Sequence, residues 1–481
     1  MSVERQTMSG LRWTAMAKIV GQAISWAVTL IVLRLLVPSD YGLMAMVAVI
    51  ISLLSSLAEL GLGASLVQAA QLEREEVARV SGAIVLLNIG AGLLMELCAP
   101  LAAIAFHQEQ LTALTRVAGL QFFLNAIGTV PQAMAYRQMN FRWLSTTELW
   151  SVAAGSLATL GLAVSGAGVW ALVLGNLTGI AVRTGLLLRA GTIRPVLELR
   201  GLGKHLRFGG MVTLSRLAWQ VVYQSDTMIA GRMLPSAAVG LYSVSLHVAT
   251  LPMQKIMSIV NQVALPAVAR LQSDMPRLRR RVIEASRLMT FFSVSTMWGL
   301  SAVAPEFVDV VMGPSWAGAV YPLQVICCIV PLRMLSVLYN TAVLGIGLAS
   351  VDLRNTLLTS VVLPAAFLIG VHWGVNGLAT SWIVALPIIF LANFPRITNA
   401  LGIRAMEVAA STWPSVVAGA LMYGAIASAR FGLMSIPAFG RLPLLVLLGA
   451  ATYLGLLSLI DRRMYPDVRA FLIALKERQK N

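Results

Sequence analysis

The sequence predicts an all-α, polytopic membrane protein with about fourteen transmembrane helices, and three observations lead to this prediction. Of the 481 residues, 58% are hydrophobic and only 12% are charged, which is about half the charged fraction of a soluble domain. The mean hydropathy is +0.80, and the apolar residues form continuous runs rather than the alternating ten-residue segments of transmembrane strands. A water-soluble protein of this composition would expose large apolar patches and aggregate. The composition therefore excludes a disordered chain, a disulfide scaffold and an ordinary cytosolic protein.

Each predicted helix is an apolar run of about 20 residues or more, the length that crosses a bilayer. The runs cover residues 11–34, 41–66, 80–105, 112–136, 144–165, 166–189, 208–232, 238–266, 288–313, 318–346, 353–370, 372–393, 408–429 and 442–460. Two adjacent pairs are separated only by short glycine-containing turns, at 165–168 and 370–374. Glycine permits the backbone conformations of tight turns, so we predict two helices in each of these pairs.

The basic residues predict the orientation in the membrane. If the N-terminus is cytoplasmic, the cytoplasmic loops and tails hold 25 of the 36 Lys and Arg residues, the opposite loops hold two, and nine lie in or at the ends of helices. Such a bias is the positive-inside pattern. It predicts an even number of spans with both termini in the cytoplasm, and it accounts for most of the net charge of +16 without a nucleic-acid partner.

An internal repeat predicts the domain organisation. A shift of 198 residues aligns Arg34 with Arg232 and Gly42 with Gly240. The same shift aligns Lys18 with a basic residue, Gln22 with a glutamine and Leu43 with a leucine of the second half. Six helices separate the copies, so the two halves have the same orientation, as in transporters with parallel repeats. We predict an N-lobe of helices 1–6 at residues 1–195 and a C-lobe of helices 7–12 at 196–400. Helices 13 and 14 with a basic cytoplasmic tail follow at 401–481.

The sequence offers little for catalysis or metal binding. Its four histidines, at 107, 205, 247 and 372, are scattered, and no pair has the spacing of metal ligands. No glycine-rich phosphate loop is present, so no ATP-driven motor is encoded. We therefore predict neither a catalytic residue nor a metal site nor a cofactor.

Ionisable residues inside the predicted helices are the candidates for a binding site. A Lys or Arg at a helix centre costs about 2.5–3.5 kcal/mol on insertion scales, so such residues normally face the bundle interior or a wet cavity. The cations outnumber the acids there, and an excess of positive charge favours an anionic cargo such as a phosphate or an acidic sugar. For each cation, a purely structural role is the alternative. The predicted cationic cavity consists of Lys18, Arg183, Arg216, Lys255 and Arg333.

Asp226 and Glu59 are the two acids for which an ion-coupling role is considered. Asp226 lies in the seventh predicted helix and Glu59 in the second. Each carboxylate either holds a neighbouring helix through a salt bridge or hydrogen bond, or couples transport to Na⁺ or H⁺. The sequence leaves both alternatives open.

A set of short segments resembles a known family. The pattern resembles the Wzx-type polysaccharide flippases of the polysaccharide-synthesis transporter family, and within it the branch for colanic acid and xanthan-type exopolysaccharides. The segments are Arg34-Leu35-Leu36-Val37-Pro38-Ser39-Asp40-Tyr41-Gly42-Leu43, Glu59-Leu60-Gly61-Leu62-Gly63, Leu206-Arg207-Phe208-Gly209, Gly240-Leu241-Tyr242-Ser243 and Val263-Ala264-Leu265-Pro266-Ala267.

The resemblance implies the multidrug/oligosaccharidyl-lipid/polysaccharide exporter fold in the bacterial inner membrane. It implies alternating-access transfer of an undecaprenyl-pyrophosphate-linked repeat unit from the cytoplasmic to the periplasmic leaflet, for exopolysaccharide or lipopolysaccharide synthesis. The partners implied are this lipid-linked oligosaccharide, the bilayer, and a polymerase with other export components. Two alternatives remain open from the sequence: a cation-coupled multidrug exporter of the same fold, and a membrane-embedded glycan polymerase or ligase.

Overall fold

The computed structural model describes residues 3–59, 62, 66, 74–189, 195–197, 203–271 and 274–461. Fourteen long helices lie in this part of the chain, and they match the fourteen predicted runs one for one. In chain order they are α1 Val3–Leu35, α2 Pro38–Glu59, α3 Arg74–Phe106, α4 Gln110–Arg137, α5 Phe141–Val164, α6 Val169–Leu188, α7 Gly203–Met233, α8 Ser236–Leu271, α9 Met275–Ala302, α10 Val320–Gly345, α11 Ala349–Gly370, α12 Gly374–Leu401, α13 Ala405–Gly432 and α14 Ala438–Ile460. The predicted all-α fold class is confirmed. The predicted basic tail, 462–481, lies outside the described residues.

The helices have the length and the surface of membrane spans. In the described part of the chain, eleven helical stretches are long and apolar enough to cross a bilayer, or twelve when one bent pair is counted as a span. The stretch Ala349–Leu401 contains both α11 and α12, and α7 is less apolar than these stretches because it carries several charged and amide side chains. Long apolar side chains such as Leu97, Leu447 and Leu459 are about 70% exposed (69%, 67% and 76%), as expected where hydrocarbon rather than water surrounds the protein.

Both predicted glycine turns separate two helices. Gly166 and Gly168 have φ values of +80° and +57° between α5 and α6, and Gly374, with φ +72°, begins α12 after a 3₁₀ turn at Val371–Trp373. Residues with a Cβ rarely adopt a positive φ. The turns are therefore specified by glycine, and the split of each pair into two helices is confirmed.

The predicted ninth span is bent, which the apolar run did not reveal. α9 ends at Ala302, and the chain continues through the helical turn Ala304–Phe307 and the π-helical turn Val308–Met312 at an angle of 68°. Pro305 stands at the start of the second segment. Because proline lacks the N–H that continues a helix and is tolerated in a first turn, it marks the break.

The chain divides into two compact units, residues 1–240 and 241–481. In the first unit α3 packs on α4, α4 on α6, and α5 on both α1 and α6. In the second unit α9 packs on α10, α10 on α12, and α11 on α12. A shift of six helices converts the pairs α3–α4, α4–α6 and α5–α6 into these three pairs. The helix contacts therefore repeat after six helices, while the predicted lobes at 1–195 and 196–400 and the segment 401–481 stay a prediction.

Two repeat-related glycines form one reciprocal contact in the first unit. A Cβ on Gly42, in the first turns of α2, would lie 1.8 Å from the carbonyl oxygen of Ser236, and a Cβ on Gly240 would lie 1.7 Å from that of Pro38. The same shift of 198 residues relates the two halves of this contact. Only glycine allows two backbones to approach this closely, which explains why both copies of the repeat carry it.

Helices α13 and α14, which lie outside the repeat, are tied to α9 within the second unit. Arg279 and Arg287 of α9 form ion pairs with Glu407 of α13 and with Asp461 directly after α14. One helical turn beyond Arg287, Tyr453 of α14 donates a hydrogen bond of 2.9 Å to the carbonyl oxygen of Phe291. Apolar residues of α9, α13 and α14 form one buried cluster around these two aromatic side chains. The last two helices therefore belong structurally to the second unit.

An ion triad holds the other end of these helices. The carboxylate of Glu306, in the turn after α9, is 1% exposed and accepts hydrogen bonds from Nε and Nη2 of Arg430 at 2.8 and 2.9 Å. Nε of Arg441, in α14, lies 3.2 Å from the same carboxylate. Arg430 also donates to the carbonyl oxygen of Ala302 at the end of α9. One buried carboxylate thus joins α9, α13 and α14.

Candidate functional site: cations in the helix seams

In the second unit, a cation lies in the seam between α10 and α12. Arg333 is the fourteenth residue of the 26-residue helix α10, so it lies near the middle of the span. Its guanidinium carbon lies 5.0 Å from the centre of the Trp382 ring in α12, within the range of a cation–π interaction. The side chain is only half-buried. Arg333 therefore combines a central position with access from one side.

The aromatic partner of Arg333 is itself fixed in place. Nε1 of Trp382 donates a hydrogen bond of 2.8 Å to the hydroxyl of Tyr242, which is 0% exposed. Phe367 of α11 packs on the Trp382 ring edge-on, with 5.1 Å between ring centres. A ring held by a hydrogen bond and by packing presents one face to the guanidinium. This arrangement orients the fork of N–H donors of Arg333, which suits bidentate binding of carboxylate or phosphate oxygens.

In the first unit, a second cation lies in the seam between α4 and α6. Nη2 of Arg183, in α6, donates to Oδ1 of Asn125 in α4 at 3.3 Å. A Cβ on Gly128 would lie only 2.9 Å from Oγ1 of Thr184, which shows that the helices approach closely here. Nε of Arg183 is buried without a hydrogen-bond partner among the described residues. No described carboxylate lies within ion-pair distance of it.

The two seams correspond to each other in the repeat. A shift of six helices carries α4 and α6 onto α10 and α12, and each pair is in contact within its own unit. The first seam places its cation on the later helix, at Arg183, and the second on the earlier helix, at Arg333. Each unit therefore carries one half-buried guanidinium in the equivalent seam, although the two positions are not related by the 198-residue shift.

The remaining predicted site residues have other surroundings. Lys18 is exposed on α1, and it has no ion pair with any described residue. Arg216 and Lys255 lie in α7 and α8, but their side chains are outside what the structure describes. The structure thus places two of the five predicted cations in helix seams, and the assignment of all five to one cavity stays a prediction.

The two candidate coupling acids differ in burial. Asp226 is 1% exposed, and its Oδ1 accepts hydrogen bonds from the backbone N–H and the hydroxyl of Thr227 at 2.6 and 3.2 Å. Glu59 is exposed at the C-terminal end of α2. A buried carboxylate is the more costly of the two to keep ionised. Burial therefore favours Asp226 over Glu59 as the candidate for ion coupling.

Sequence reasoning missed the side chains that surround these cations. In the sequence Asn125 indicates only a polar residue that holds helices together, Tyr242 is part of a segment that indicates the family, and Gln121 and Trp382 give no sign of a role at a site. Gln121 is 6% exposed, and its Nε2 is buried without a hydrogen-bond partner among the described residues. The spacing of Gln121 and Asn125, four residues apart in one predicted helix, was the available signal, because such residues share a helix face.

Comparison with known proteins decides the family. Residues 31–321 match the family described as polysaccharide biosynthesis protein. The chain belongs to this family. Its relatives include the lipopolysaccharide biosynthesis protein WzxC of Escherichia coli, 25% identical over 86% of this chain and 85% of WzxC. The teichuronic acid biosynthesis protein TuaB of Bacillus subtilis is 25% identical over 88% of this chain and 95% of TuaB.

A solved structure confirms the family's expected fold. The lipid II flippase MurJ, in an inward closed conformation, superposes with a TM-score of 0.72 at 12% sequence identity, covering 94% of this chain and 99% of MurJ. At this identity the likeness concerns the fold. The predicted membership of the polysaccharide-synthesis transporter family is confirmed, and the fold is the one that the resemblance implies.

Proposed function

We propose that this family member is a flippase for a lipid-linked, acidic oligosaccharide. Its cargo is an undecaprenyl-pyrophosphate-linked repeat unit, which it transfers from the cytoplasmic to the periplasmic leaflet of the bacterial inner membrane for exopolysaccharide or lipopolysaccharide synthesis. Both termini are cytoplasmic in this proposal. The observation that carries it is Arg183, an arginine in the seam of two membrane helices with no described carboxylate to neutralise it.

The charge of the cargo explains why such arginines are retained. A diphosphate or uronate group is strongly hydrated and cannot enter hydrocarbon alone, because burying an unpaired ion costs far more than burying a polar group. Guanidinium groups replace the lost water with charge-assisted hydrogen bonds. Arg183 and Arg333, one in each unit, supply such donors along the depth of the membrane.

The rest of the cargo needs little from the protein. The polyprenyl chain is apolar and gains nothing by leaving the hydrocarbon, so it stays in lipid while the headgroup passes through the protein. Transport proceeds by alternating access, in which the headgroup path opens to one side of the membrane at a time. No phosphate loop is encoded, so the driving force is an ion gradient or the consumption of the exported unit. Coupling to Na⁺ or H⁺ through Asp226 is part of this proposal.

Deletion of the gene tests this function against a drug exporter of the same fold. We expect the strain to lose its extracellular polysaccharide, to regain it when the wild-type chain is supplied, and to keep its susceptibility to cationic drugs. A drug exporter binds cations and would be expected to line its path with acidic residues. Continued polysaccharide export together with increased drug susceptibility would contradict the proposal.

A further inference from the structure

We infer that the first unit contains an oxyanion subsite formed by Arg183, Asn125 and Gln121. This inference rests on the proposed function, because it names the part of the protein that holds an acidic group of the cargo. The ligand chemistry is a phosphate or carboxylate oxygen. Its two sources are the diphosphate of the lipid carrier and the carboxylate of an acidic sugar.

Arg183 and Asn125 are hydrogen-bonded across the α4–α6 seam, and Gln121 lies one helical turn before Asn125 on α4. Asn125 follows Gln121 by one helical turn, so both project from the same face of α4. The contact of Thr184 with Leu124 and Gly128 fixes the level at which α6 meets this face. Long helical side chains lean towards the N-terminus of their own helix. Since α4 and α6 run in the same direction, we expect Arg183 to lean towards the N-terminal side of Asn125, its hydrogen-bond partner, where Gln121 lies.

Two donors of these side chains have no acceptor among the described residues. Arg183 uses one N–H on Oδ1 of Asn125, and its Nε is buried without a partner among the described residues. Nε2 of Gln121 is also buried without a partner among the described residues, and the residue is only 6% exposed. A buried donor without an acceptor destabilises the folded protein, because its lost hydrogen bond to water is not replaced. A cluster whose only role was to hold helices together would pair these groups, so the unpaired donors indicate a missing acceptor.

The position of the cluster suits a cargo that crosses the membrane. Gln121 and Asn125 lie about 16 and 22 Å along α4 from its first residue, at 1.5 Å per residue, in a helix of 28 residues. They therefore lie in its central part. Arg183 is only half-buried, which leaves the guanidinium accessible from one side. An oxyanion there accepts hydrogen bonds from the free N–H groups and neutralises the charge at once.

Binding by purified, full-length protein in nanodiscs of zwitterionic lipid tests the subsite. One arm uses undecaprenyl diphosphate without sugar, and the other uses a soluble oligosaccharide that contains glucuronate. We expect Arg183→Gln to weaken binding at least tenfold in the arm that supplies the oxyanion, and Asn125→Leu or Gln121→Leu to weaken it about threefold or more. Arg189→Gln is the control. It removes an exposed charge at the end of α6, the helix of Arg183, and should change binding less than twofold.

A carboxylate placed inside the cluster gives the sharper result. Gln121→Glu supplies the missing acceptor next to Arg183 with almost no change in side-chain volume. We expect this variant to be at least as thermally stable as the wild type and to lose the increase in thermal midpoint that the bound probe produces. A variant that binds the probe like the wild type would overturn the subsite, as would a wild type that binds neither probe.

These outcomes are separable from failure of the proposed function. If Gln121→Glu binds normally while deletion of the gene abolishes polysaccharide export, the subsite is wrong and the flippase proposal stands. If the wild type binds undecaprenyl diphosphate through Arg183 but deletion leaves export intact, the subsite stands and the flippase proposal is wrong.

Discussion

Replacing Arg333 by glutamine is expected to lower polysaccharide export more than tenfold while the protein still inserts and accumulates normally. The guanidinium lies near the middle of α10, over the Trp382 ring, and the substitution keeps much of the side-chain length but removes the charge and the fork of donors. A hydrogen bond to a charged group contributes about 1.5–3 kcal/mol, which corresponds to about ten- to hundredfold in binding. Extracellular polysaccharide, normalised to the amount of protein in the membrane, measures the effect.

Two further variants separate transport from folding. Arg354→Gln removes an exposed arginine of the neighbouring helix α11 and should leave export unchanged. Arg333→Lys keeps the charge above the ring but loses the planar fork, so it should export at an intermediate level. Export at the wild-type level by Arg333→Gln, with the variant present in normal amounts, would remove Arg333 from the proposed site.

The largest effect on stability is expected for Glu306→Gln. This carboxylate is 1% exposed and is shared by Arg430 and Arg441, so the amide leaves two guanidinium groups close together without a counter-charge. Removing one partner of a buried ion pair typically costs about 3–5 kcal/mol. We expect a large fall in the thermal midpoint of the purified protein, with α13 and α14 detaching first from α9, because the triad joins them there.

A matched substitution shows whether burial causes this effect. Glu75→Gln breaks the ion pair with Arg79 on α3, in which the glutamate side chain is 83% exposed, and exposed pairs contribute about 0–1 kcal/mol. Adding Arg441→Gln to Glu306→Gln should restore part of the stability, because it removes one of the two uncompensated charges. A Glu306→Gln protein as stable as Glu75→Gln would show that the triad does not hold these helices.

The helices were predictable because each is a local property of the sequence. Continuous apolar runs predicted all fourteen, and glycine predicted the turns before α6 and α12, where φ is positive at Gly168 and Gly374. The repeat of Gly42 and Gly240 was visible as well, although the reason for it, two backbones in contact, required the structure. The bend after α9 was missed because the predicted run continued past Pro305 to residue 313.

The site was only partly predictable because its contacts join distant parts of the chain. The free-energy cost of a charged side chain in the membrane identified Arg183 and Arg333 as unusual. The partner of Arg183, however, is Asn125, 58 residues away in the sequence, and nothing local connects the two. Glu306 is 124 residues from Arg430. In the sequence Glu306 lies near the end of the ninth predicted run and Arg430 directly after the thirteenth, and the buried triad that they form was not foreseen. The free-energy cost of a charge in the membrane shows which charged residues need a partner, whereas the fold determines which of them have one.

The leaflet in which the completed lipid-linked unit accumulates tests the central claim most directly. In cells that lack this protein but keep the enzymes that build the unit, an impermeant reagent that modifies sugars, applied to spheroplasts, measures the fraction exposed on the outer leaflet. The proposal predicts that the unit accumulates on the inner leaflet, and that the wild-type chain, but not Arg333→Gln, restores its exposure. Accumulation on the outer leaflet would contradict the proposal and would indicate a polymerase or ligase instead.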